Sequence, residues 1–124
     1  MAMDKSLQPD APLRYLFVCV GGLDRSPTAA AAAQAMAKER GRHIETAYLG
    51  LYDAMTTNFL PSDYVNGFDR IFVMEPNLGR VLQKEWKCHV EIICLDVQDA
   101  LSCYSLEDVL ALDRIMRAKL EPWI

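Results

Sequence analysis

No basic tract interrupts this chain, and no window of it is apolar for long enough to cross a bilayer. Together with a formal net charge of −4, the first absence excludes a surface built for nucleic acid, and the second excludes an integral membrane helix. The first dozen residues, Met1 to Pro12, are mostly polar, carry two prolines and lack the apolar stretch of a signal peptide. A flexible tail over residues 1–12, a cytoplasmic location and no membrane partner are therefore expected. The four cysteines, Cys19, Cys88, Cys94 and Cys103, form no close-set disulfide framework and should stay reduced in that compartment. Cys88, His89, Cys94 and Cys103 cluster loosely, but their spacing matches no zinc pattern, so no metal and no other cofactor is expected. With 124 residues, about half of them hydrophobic, there is room for one compact domain over residues 13–124 and too little chain for two.

What is present is an alternation of strand-like and helix-like segments. Leu13 to Val20 reads as a buried strand, and Ser26 to Gly41 as a helix with proline in its first turn and glycine at its end. The run Ala29 to Ala33 suits that helix, because alanine is the best helix former and its small side chain lets a helix sit close on a sheet. His43 to Leu49 forms a second strand, and a short helical piece, Asp63 to Asn66, ends at Gly67. Arg70 to Met74 is a third strand, Pro76 to Glu85 a helix, and Val90 to Leu95 a fourth strand. Leu106 to Leu120 is a final helix with apolar positions at Leu106, Val109, Leu110, Leu112 and Ile115. Such alternation predicts an α/β sandwich on a mostly parallel four-stranded sheet, with its ligand crevice beyond the strand C-termini.

The most informative segment lies at the first such terminus. In Cys19-Val20-Gly21-Gly22-Leu23-Asp24-Arg25, a cysteine and an arginine bracket five residues, with the apolar Leu16-Phe17-Val18 before them and Ser26-Pro27 and the alanine run after. A strand that ends in a glycine-containing loop and opens into a helix turns several backbone N–H groups toward one spot, which the helix dipole makes favourable for negative charge. A thiolate there can attack phosphorus, glycines let the backbone wrap closely, and a guanidinium holds two oxyanion oxygens side by side. Val20, Gly21, Gly22, Leu23, Asp24, Arg25 and Ser26 are thus the candidate phosphate-binding residues, and inorganic phosphate or a similar oxyanion the expected ligand.

From Leu16-Phe17-Val18-Cys19 through Arg25-Ser26-Pro27-Thr28-Ala29, the chain resembles the phosphate loop of the low molecular weight protein tyrosine phosphatases, and within them a short branch of phosphatase-like proteins. Phe68-Asp69-Arg70-Ile71-Phe72-Val73-Met74-Glu75 resembles the family's third strand, and Leu95-Asp96-Val97-Gln98-Asp99 the loop carrying its general acid. The resemblance implies a single-domain three-layer sandwich with strand order 2-1-3-4. It also implies a hydrolase acting on a phosphotyrosine protein or a small aryl phosphate through a phosphocysteine intermediate. Cys19 would be the nucleophile, Arg25 the clamp on two phosphoryl oxygens, and Asp99 the acid that protonates the leaving oxygen and then activates water, with Asp96 as a substitute. Ser26 would hydrogen-bond the Cys19 sulfur or cap the helix. Leu23, Tyr52 and Tyr104 would flank an aromatic leaving group, and Thr46, aligned with a family serine, would support the loop from behind.

Three departures from the family pattern bear on turnover: Gly22 where asparagine is usual, Asp24 beside the clamp, and Gln98-Asp99-Ala100 where prolines usually stiffen the acid loop. They keep two other readings open. One is a noncatalytic oxyanion or phosphoprotein binder on the same fold; the other is a thiol-based arsenate reductase, although Cys88 and Cys94 do not fall where its relay would need them.

Overall fold

The computed structural model describes residues 12–20, 25–51, 63–97 and 105–124. The four strands are β1 (Leu13–Cys19), β2 (Ile44–Gly50), β3 (Arg70–Val73) and β4 (Ile92–Cys94), all parallel in the order β2-β1-β3-β4. Among the described residues three α-helices accompany them: α1 (Arg25–Glu39), α2 (Pro76–Glu85) and α3 (Leu106–Leu120). The expected fold class and strand order are therefore present. The proposed tail falls on residues 1–11, outside the described part, apart from Pro12.

Alternation along β1 creates the layers. Tyr15, Phe17 and Cys19 face one side with Phe72 of β3, where they meet the alanines of α1 and Leu112, Met116 and Leu120 of α3. Leu16 and Val18 face the other side with Ile71 and Val73, against α2 and the 3-10 turn Tyr64–Gly67. Both faces of the central strands are covered, which is why β1 and β3 read as continuous apolar runs. Phe17 and Phe72 stack with ring centroids 5.0 Å apart in the first of these cores.

Helix ends follow local chemistry. α1 stops in a Schellman motif in which Arg42 N–H donates to the Ala37 carbonyl and Gly41 N–H to that of Lys38, with Gly41 at φ +66°. Pro76 opens α2, and the Ser105 hydroxyl caps α3 by accepting from Asp108 N–H at 3.1 Å. The α3 face differs from the sequence expectation: Leu106, Leu110 and Ile115 are exposed, and the buried stripe is Leu112, Met116 and Leu120. These three recur every four residues and turn to the sheet, which rotates Leu110, about 200° away around the helix from Leu112, toward solvent.

Beyond α3 the chain closes the lower edge of the sheet. Tyr15 hydroxyl donates to the Trp123 carbonyl at 2.8 Å, and the Arg42 guanidinium donates to the carbonyl of Ile124. Arg70 lies over the Trp123 ring, 5.1 Å from its centroid. Trp86, on the other side, is buried against α2 and β3.

Candidate active site

Parallel strands all point their C-termini to one edge, so the residues that leave β1, β3 and β4 there become neighbours without being close in sequence. Cys19 is the last residue of β1 and is 3% exposed; Val20, which follows it, is exposed. Arg25 and Ser26 begin α1, and both are buried, at 4% and 0% exposure. The Cys19 sulfur lies 3.0 Å from the Ser26 hydroxyl oxygen, with either able to donate. A cysteine and a serine seven residues apart thus share a hydrogen bond at the mouth of a helix whose dipole points its positive end at them.

Arg25 is held by groups from two other strand ends. Its Nη1 donates to Glu75 Oε1 at 2.7 Å and to the Val97 carbonyl at 2.9 Å. Glu75 follows Met74 at the exit of β3, where Met74 N–H donates to the Val18 carbonyl and fixes the turn into α2. Val97 leaves β4 after two bonds to the β3 exit, Leu95 N–H to Val73 carbonyl at 2.8 Å and Val97 N–H to Met74 carbonyl at 2.9 Å. Between them Asp96 adopts φ +55°. The pair formed by Arg25 and Glu75 is asymmetric: the cation is buried, while the carboxylate is 41% exposed. Nη1 thus carries two acceptors at once, one from the exit of β3 and one from the exit of β4.

Of the residues singled out from sequence, the structure brings Cys19, Arg25 and Ser26 together, with Val20 at the strand exit. Gly21, Gly22, Leu23 and Asp24 lie outside the described residues, as do Tyr52, Asp99 and Tyr104. Thr46 stands opposite Tyr15 in the β1–β2 register, four residues before the Gly50 that pairs with Cys19, and lines a groove with Pro27, Ala30 and Tyr48. Sequence reasoning missed Glu75 and Val97. The signal for Glu75 was its place immediately past β3, at the edge where a parallel sheet gathers functional groups; a backbone carbonyl such as Val97 leaves no sequence signal at all.

Cys88 and Cys94 do not share the face of the sheet that carries Cys19. Cys88 packs into the opposite core, where burial pushes its thiol up, and Cys94 is exposed at the end of β4, one residue out of step with Ile93 and Leu95 on the Cys19 face. Among the described residues no group of three or more His, Cys, Asp or Glu is arranged to hold a metal ion, and no helix is long and apolar enough to cross a membrane.

No protein-family model and no curated protein matches the sequence. Solved structures do. The low molecular weight protein tyrosine phosphatase from T. tengcongensis superimposes with a TM-score of 0.65 at 18% identity, covering 90% of this chain and 99% of the other. The chain has the low molecular weight protein tyrosine phosphatase fold. Vibrio vulnificus Wzb in complex with benzylphosphonate shares this phosphatase fold at a TM-score of 0.59 and 16% identity, over 91% of this chain and 97% of that one. The drosophila arginine phosphatase does so at 0.61 and 17% identity, over 88% and 94%. In the fold of this chain, Cys19 ends the first strand and Arg25 and Ser26 begin the helix that follows it.

Proposed function

We propose that the protein is a cysteine-dependent phosphomonoester hydrolase of the tyrosine phosphatase type. The observation that carries this reading is the buried trio Cys19, Arg25 and Ser26 at the β1–α1 junction, with the Cys19 sulfur 3.0 Å from Ser26 Oγ and the Arg25 guanidinium held by Glu75 and the Val97 carbonyl. The Cys19 thiolate attacks phosphorus as the bond to the leaving oxygen breaks, and Asp99 supplies the proton that oxygen takes up. Arg25 and the loop N–H groups hold the equatorial oxygens throughout. Ser26 donates to the sulfur as it departs in the second step, when water activated by Asp99 attacks the phosphocysteine and releases inorganic phosphate. Leu23, Tyr52 and Tyr104 form the walls against an aryl leaving group, and the substrate is a phosphotyrosine protein or a small aryl phosphate. The reaction needs no cofactor and belongs in the cytoplasm.

The test is hydrolysis of p-nitrophenyl phosphate by wild type and Cys19→Ser, under reducing conditions, from mildly acidic to neutral pH. Turnover by wild type that disappears in the variant supports the reading. A second reading draws on the Arg25–Glu75 contact, since a carboxylate already seated on the clamp competes with an incoming oxyanion. It makes the protein a noncatalytic oxyanion or phosphoprotein binder, and is supported instead if both proteins are inactive while wild type binds vanadate. Phosphoarginine belongs in the same assay, because proteins with this fold include two described as arginine phosphatases.

A further inference from the structure

We infer that Asp96 is a positioning residue for the oxyanion clamp, acting through its backbone: its left-handed turn delivers the Val97 carbonyl to Arg25 Nη1. This rests on the reading of Arg25 as the clamp. Three observations carry it. Asp96 has φ +55°, in the region that L-residues other than asparagine and aspartate seldom enter. It is exposed, whereas Leu95 and Val97 on either side are buried and hydrogen-bonded to the exit of β3, so neither neighbour can move to relieve it. The first carbonyl after the turn, that of Val97, lies 2.9 Å from Arg25 Nη1.

The clamp is thereby fixed from two directions, by a side chain leaving β3 and by a main-chain oxygen leaving β4. A carboxylate restrains the charge of a guanidinium, but two acceptors on one nitrogen also fix its plane. That plane decides whether a guanidinium meets two phosphoryl oxygens together or one at a time. Asp96 thus has a use in this chain that does not involve its carboxyl group as an acid.

The experiment compares Asp96→Asn and Asp96→Gly, which accept a positive φ, with Asp96→Ala and Asp96→Val, which resist it increasingly. Two quantities are read on each folded variant: the Nη resonances of Arg25 in the ligand-free protein, by nitrogen-15 spectroscopy, and the affinity for vanadate. Asparagine and glycine should preserve the hindered Nη1 protons and keep affinity within about twofold. Valine should release those protons and weaken vanadate roughly tenfold, the loss expected of one hydrogen bond to a charged group. Alanine should fall between, and it carries the test if the valine variant does not fold. Unchanged Arg25 resonances in the alanine and valine variants would overturn the inference. So would a loss in Asp96→Asn equal to that in Asp96→Val, which would assign the effect to the carboxylate. Failure of wild type to bind vanadate would instead overturn the oxyanion reading, with the Arg25 resonances still deciding whether Asp96 positions the guanidinium.

Discussion

Replacing Glu75 by alanine should destabilise the protein by about 1–2 kcal/mol, a value set between two limits. Breaking a fully buried ion pair costs roughly 3–5 kcal/mol, because the remaining charge is stranded. A pair between exposed groups contributes about 0–1 kcal/mol. Here Arg25 is 4% exposed and Glu75 41%, and Arg25 keeps the Val97 carbonyl when the carboxylate is removed, so the loss falls below the buried limit and above the exposed one. For a domain of 124 residues this amounts to a fall in Tm of roughly 4–8 °C. Glu75→Gln retains an acceptor for Nη1 and should cost less than about 1 kcal/mol. Its lost negative charge should also tighten vanadate binding, by roughly two- to fivefold for a half-exposed group. Thermal unfolding by circular dichroism and vanadate titration measure the two effects. An alanine variant melting within about 1 °C of wild type would refute the claim that Glu75 holds a buried cation. Weaker vanadate binding by Glu75→Gln would refute the claim that the carboxylate competes with the oxyanion.

Leu112→Ala should cost about 2–4 kcal/mol, whereas Leu110→Ala, on the exposed side of α3, should stay within about 0.5 kcal/mol; equal losses in urea unfolding would show the helix face wrongly assigned. Gly79→Ala should stabilise α2 by about 0.5 kcal/mol, because the added Cβ would sit 3.4 Å from Ile92 Cγ2, in ordinary contact, and an interior helical glycine is costly. Gly41→Ala, at φ +66°, should instead lose about 1 kcal/mol, and a Tm shift of the same sign in both variants would contradict this contrast. Iodoacetamide at neutral pH should label exposed Cys94 well before Cys88, whose burial raises its pKa and leaves it protonated until more alkaline pH; faster labelling of Cys88 by peptide mapping would overturn that order.

The elements were legible in the chain where punctuation was strong. Pro76 at the start of α2, and the single long amphipathic segment from Leu106 to Leu120, gave helix limits that the structure reproduces. Strand β4 is shorter than Val90 to Leu95, because only Ile92–Cys94 pairs with β3 before the Asp96 turn. The face of α3 was harder to read. Two apolar stripes run along that helix, and only the position of the sheet selects Leu112, Met116 and Leu120 over Leu106 and Leu110. At the site, Cys19 and Ser26 could be paired because both belong to one strand-to-helix turn. The acceptors of Arg25 could not, since they enter through the topology from β3 and β4.

The strand order has a consequence for how the protein assembles. β1 precedes the other three strands in sequence, yet it lies inside the sheet, and its Tyr15 pairs with Arg70, 55 residues later. Tyr15 then finds a hydrogen-bond acceptor 108 residues downstream, and Arg25 Nη1 finds Glu75 and Val97 at separations of 50 and 72. Every one of these contacts closes a long loop before it is rewarded, which is the condition for slow folding in parallel sheets. A nascent chain that ends before β4 therefore holds Cys19 and Arg25 without the carbonyl beyond β4 that helps to orient the guanidinium. Under the proposed function, oxyanion binding should emerge only once β4 and the Val97 carbonyl are in place, making it a reporter of the assembled sheet.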